Sequence, residues 1–85
     1  MQHYISPEAG RALLQTAKEA SEAGIDVIAH ITGIGKLCFR DVGFIGENAE
    51  AAKIWSWPAG NSGSEYYIVP VTSIRGIEIK RDWMA

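Results

Sequence analysis

Hydrophobic and polar positions follow two different periods along the chain, and the change falls at Gly24. Before it, Ala9, Leu13, Ala17 and Ala20 recur at i, i+4, i+8 and i+11, and Leu14 widens the stripe. That spacing is one face of an α-helix. Arg11, Gln15, Lys18, Glu19 and Glu22 fall mostly on the other side. The ends carry the right punctuation. Ser6 suits the N-cap and Pro7 the first helical position, where a missing N–H costs nothing. Glu8 complements the positive end of the helix dipole, and Gly24 suits the left-handed residue after the last turn. The spacing predicts one helix over about 7–23. Its alanine-rich face is shallow, so it should lie close on a sheet or over the end of a barrel.

After Gly24 the period is two. Val27, Ala29 and Ile31 alternate with Ile28, His30 and Thr32, which predicts a first strand. Thr32 to Lys36 supplies turn chemistry. Leu37, Phe39 and Asp41 alternate with Cys38, Arg40 and Val42 in a long second strand that Phe44 and Ile45 extend, and Gly43 predicts a bulge or bend within it. Residues 53–57 read as a third strand stopped by Pro58, 59–64 as a flexible loop and 66–69 as a fourth strand. Pro70 marks a strand end or a sheet edge, having no N–H for a ladder. Ile77 to Lys80 is the fifth strand. The fold class is therefore α+β: an N-terminal helix, then a strongly bent five-stranded antiparallel sheet or small, partly open barrel over about 25–81, all in one domain spanning 1–85.

Composition sharpens the division. Five of the eleven alanines and two of the three leucines lie between Ala9 and Ala23, whereas of fifteen Ile and Val residues only Ile5 precedes Gly24. With 47% apolar and 21% charged residues the chain has a globular balance, and a net charge of −2 excludes a polybasic nucleic-acid arm or an acidic tail. No apolar run approaches the roughly 18 residues of a membrane span, and the first residues lack a signal-peptide pattern, so a cytoplasmic location without membrane contact is expected. One cysteine, Cys38, allows no internal disulfide. A chain of 85 residues has little core to spare, which leaves self-association as one stabiliser.

The stretch Ile68-Val69-Pro70-Val71-Thr72-Ser73-Ile74-Arg75-Gly76-Ile77-Glu78-Ile79, following a helix and a long bent strand, resembles the Sm-like small β-barrels, and SH3-like barrels are close in shape. Ile74-Arg75-Gly76 is similar to the Ile-Arg-Gly of the second Sm motif. The resemblance spans roughly residues 6–80. It implies a single 3₁₀ turn before the last strand and open edges on the fourth and fifth strands that neighbouring copies pair into a ring. Lys80-Arg81-Asp82 could instead guard an edge, and Pro70 interrupts pairing along the fourth strand.

Chemistry-bearing residues are few. Gly33-Ile34-Gly35-Lys36 lacks the hydroxyl residue and following helix of a phosphate loop and reads as a hairpin turn. His3 and His30 with one cysteine make no metal-ligand spacing, and no cofactor is implied. His30 should point away from the face of Ala29 and Ile31, solvated or hydrogen-bonded. Cys38 reads as a buried thiol with Arg40 nearby. Trp55 and Trp57 share a strand face beside Lys53, and with Tyr66 and Tyr67 they form either core and subunit interface or a surface that stacks a base or anchors a partner. Arg40, Lys53, Arg75, Lys80 and Arg81 are the cations best placed for phosphate, but six Lys or Arg against seven Asp or Glu after Gly24 argue against a broad nucleic-acid footprint. Trp83 and Met84 should either pack back or dock on a neighbour.

The reading that results is a non-enzymatic binding or assembly module, a homo-oligomer joined through strand edges and the aromatic strand. Trp55, Trp57, Tyr66, Tyr67, Lys53 and Arg75 are its candidate surface. Two alternatives accompany it: single-stranded RNA or nucleotide binding in the Sm manner, and an accessory protein that modulates a larger protein partner. A catalytic pairing of His30 or Cys38 with an acid ranks below all three.

Overall fold

The computed structural model describes residues 5–57 and 65–80. Helix α1 (Pro7–Glu22) is followed by β1 (Asp26–Ile31), β2 (Gly35–Ile45), β3 (Ala51–Ser56), β4 (Glu65–Pro70), a 3₁₀ turn η1 (Val71–Ser73) and β5 (Ile74–Lys80). All neighbouring strands are antiparallel, in the order β4-β3-β2-β1-β5. The α+β expectation holds. The sheet does not close into a barrel: β4 and β5 are its two edges. The expected loop over 59–64 and the residues after Lys80, Trp83 and Met84 among them, lie outside the described residues.

Both helix ends form as their residues dictate. The Ser6 hydroxyl accepts the Ala9 N–H at 3.1 Å. At the other end Gly24, at φ +85°, donates to the Ser21 carbonyl and Ile25 donates to Ala20. This is the crossed hydrogen-bond pair of a Schellman ending, which a left-handed glycine permits. The buried stripe is centred on Gly10, Leu14 and Ala17, with Ala9, Leu13 and Ala20 at its margins. Gly10 was not part of the apolar stripe. It is buried because the helix backbone approaches η1 so closely that a Cβ there would fall on the Val71 carbonyl oxygen.

The core lies between α1 and the concave face of the sheet. Leu14, Phe39, Ile31, Ile54, Val71 and Ile74 are its largest fully buried side chains. Two ladder irregularities shape the sheet. One lies in β2 between Phe39 and Asp41, at Arg40, not at Gly43 as the sequence suggested. The physical reason is visible in the burial pattern. Strict alternation from Leu37 and Phe39 would put Asp41 into the core and Val42 outside. One extra residue at Arg40 reverses the phase, so Val42 is buried and Asp41 is not. The other lies where β1 meets β5, at Arg75.

β3 begins two residues earlier than propensity suggests and stops before Trp57. Ala52 is a weak strand former, but it is fully buried on the concave face. The 3₁₀ turn stands where the resemblance places it. Ser73 Oγ donates to the Pro70 carbonyl at 2.7 Å, Val71 N–H donates to Glu50, and Thr32 N–H donates to Ser73.

Candidate functional site

Side chains alternate along β3 and β4, so register decides which of the predicted surface residues meet. Trp55 pairs with Tyr66 and Lys53 with Ile68, all on the convex face. Tyr67 pairs with the buried Ile54 and therefore belongs to the concave side. The two adjacent tyrosines are thus on opposite faces. Trp55 and Tyr66 have ring centroids 4.9 Å apart with planes tilted by 57°. Lys53 Nζ lies 4.6 Å from the Trp55 centroid and 4.3 Å from the Tyr66 centroid, a cation held over both rings.

Trp57 stands one residue past β3 and is 55% exposed, with the Arg40 guanidinium 5.1 Å from its ring. Its N–H donates to the Cys38 carbonyl. Trp55 is only partly exposed and, with Arg40 and Asp41, lines a shallow hollow at the bulge. The expected surface group divides into Lys53-Trp55-Tyr66 and Arg40-Trp57, with Tyr67 apart.

Arg75 does not join them. It sits on β5, at the opposite end of the strand order, in a hollow with His30, Gly76, Ile77 and Glu78. His30 Nε2 lies 3.2 Å from Glu78 Oε1. The hydrogen bond from His30 holds the Glu78 carboxyl below its ordinary range. His30 is a hydrogen-bonded sheet histidine, as its phase in β1 predicts. Cys38 is exposed on the convex face, which corrects the expectation of a buried thiol: its flanking residues Leu37 and Phe39 take the concave positions. Among the described residues no group of three or more His, Cys, Asp or Glu could hold a metal ion, and no helix is long and apolar enough to cross a membrane.

β4 and β5 are the open edges that the resemblance implies, and the register decides which residues they present outward. Val71 N–H donates to Glu50, continuing the β4–β3 register. Alternation then turns the backbone groups of Glu65, Tyr67 and Val69 toward β3, and those of Tyr66 and Ile68 toward the open side. Tyr66 is 49% exposed and Ile68 is 59% exposed. At Pro70 the edge is blunted, since it has no N–H and its carbonyl already accepts from Ser73. On the other edge the Thr32 to Ser73 bond and the β1 register turn Gly76, Glu78 and Lys80 toward β1, leaving Ile77 and Ile79 outward. Comparison with family models, with curated proteins and with solved structures finds no match.

Proposed function

We propose that this protein is a non-enzymatic assembly module that self-associates through its open strand edges. One observation carries the reading: β4 is an edge strand whose outward-facing residues, Tyr66 and Ile68, combine backbone groups that no strand pairs among the described residues with highly exposed apolar side chains. An apolar edge with unpaired N–H and C=O groups is a template for another strand, and proteins that keep such edges free blunt them with charge or proline. β4 has proline only at its last position and charge only at Glu65.

The element order and the strand order support kinship with the Sm-like and SH3-like small barrels. The 3₁₀ turn between β4 and β5 belongs to the same likeness. Nucleotide or single-stranded RNA binding ranks second. It calls for Arg75 beside the stacking rings, and Arg75 stands on the far edge strand while Lys53 already occupies the faces of Trp55 and Tyr66.

Ile68→Lys tests the reading. The side chain is on the convex surface, so the fold tolerates the change, while a lysine on the edge opposes pairing. Light scattering coupled to size exclusion at tens of micromolar should give a multimer for the parent chain and a monomer for the folded variant. A parent chain that runs as a monomer would overturn the proposal.

A further inference from the structure

Resting on that self-association, we infer that the interface is isologous: β4 of one copy pairs antiparallel with β4 of a second, about a two-fold axis at Tyr67. Only Tyr66 and Ile68 direct both an N–H and a C=O outward from the described part of β4. The register that uses all of them sets Tyr66 opposite Ile68 of the second copy, and Ile68 opposite its Tyr66. Four backbone hydrogen bonds result. Sliding by two residues in one direction sets Tyr66 against Pro70, which lacks an N–H and whose carbonyl is already taken by Ser73. The proline therefore acts as a register stop.

Charge separates this pairing from the equivalent one on the other edge. Pairing β5 with itself through Ile77 and Ile79 would set Glu78 against Glu78 on the axis, and like charges directly opposite are destabilising. β4 meets itself without that conflict. Its one charge, Glu65, falls opposite Val69, and the axis passes between two Tyr67 side chains.

Apolar surface separates it from a head-to-tail pairing of β4 with β5. In a two-fold β4 junction the convex faces of both copies lie on the same side. Tyr66 then packs beside Ile68 of the second copy, and the Lys53-Trp55-Tyr66 clusters become one patch across the seam. In antiparallel head-to-tail pairing, Tyr66 and Ile68 meet Ile77 and Ile79, which belong to the concave side of their own sheet. Ile77 is already partly packed against the core, so less new surface is covered. Two-fold dimers are also the commonest closed assemblies, whereas a head-to-tail contact must find a rotation that closes.

The test is disulfide trapping in the full-length chain with Cys38→Ser as background. Residue 67 would face its counterpart across a non-hydrogen-bonded pair, the closer kind of cross-strand pair. Tyr67→Cys should therefore give a covalent dimer under mild oxidation, about tenfold faster than Glu19→Cys, an exposed control on α1. Light scattering should give the mass of two chains. A larger assembly in which Glu65→Cys with Lys80→Cys is trapped, but Tyr67→Cys is not, overturns the two-fold interface and leaves the assembly reading standing. A monomer at tens of micromolar overturns both.

Discussion

At Gly10 two effects of opposite sign meet. In the middle of an exposed helix, glycine costs about 1 kcal/mol relative to alanine, so Gly10→Ala would ordinarily stabilise. Here the added methyl would lie on the Val71 carbonyl oxygen and 2.8 Å from its carbon, both backbone atoms that cannot swing aside. Overpacking of this kind costs roughly 1–3 kcal/mol or more, and a clash with backbone belongs at the upper end. The steric term wins. Gly10→Ala should lower stability by about 1–3 kcal/mol in urea unfolding, with a loss of helix docking on η1. An unchanged or higher midpoint would mean that the helix does not sit this close. The same close approach explains why the helix face is rich in alanine: a larger side chain at Ala17, which is also fully buried, would lift the rod off the sheet.

Between elements, the helix is fastened to the second strand at the bulge. Lys18 Nζ lies 2.6 Å from Asp41 Oδ1 and 3.5 Å from Glu22, and the Ser21 hydroxyl donates to the Arg40 carbonyl at 2.8 Å. Arg11 makes a second clasp on the Asn48 and Ala49 carbonyls of the β2–β3 turn. The hydrogen bond with Lys18 is the main cause that holds the Asp41 carboxyl below its ordinary range, and that with Asp41 raises the Lys18 ammonium. A depressed carboxylate contributes stability that is present above its unfolded value, near about 4, and is lost as pH falls through the folded value. The raised ammonium contributes stability that is lost only as pH climbs past about 10.4. Both side chains keep contact with solvent, at 29% and 49% exposure, so the pair is worth about 1 kcal/mol or less. Asp41→Asn should lower the urea midpoint by a constant small amount between pH 6 and pH 8 and flatten its fall between about pH 5 and pH 3; an equal slope at low pH in parent and variant would remove the pair from the account. These fastenings also mark the limit of what the sequence told. Period and capping residues exposed the helix, every strand and Pro70, because those depend on local order. The shift at Arg40 was hidden because Gly43 offered the stronger local bulge signal, while the choice was made by keeping Val42 in the core. The separation of Tyr66 from Tyr67 is the local alternation of a strand, whereas that of Arg75 from both follows from strand order, a long-range property that no local pattern carries.

For the whole molecule, size and edges bear on one equilibrium. The described core rests on thirteen buried apolar residues, three of them alanine. A small core of that kind leaves a narrow margin of stability. Tyr66 and Ile68 meanwhile hold apolar surface that the monomer does not cover. Covering it with a second copy binds the native state and not the unfolded one, so assembly and folding are linked by mass action. The consequence is measurable without knowing the interface. If copies pair, the urea midpoint of the parent chain should rise with protein concentration once that concentration exceeds the dissociation constant. The slope approaches about 1.4 kcal/mol per mole of dimer for each tenfold increase. Ile68→Lys should abolish the dependence and bring the midpoint at every concentration down to the dilute parent value, because it removes the second copy while leaving the core in place. A parent midpoint that stays constant over two decades of concentration would make the exposed edge a feature of a stable monomer, and the small core would then have to sustain the fold alone.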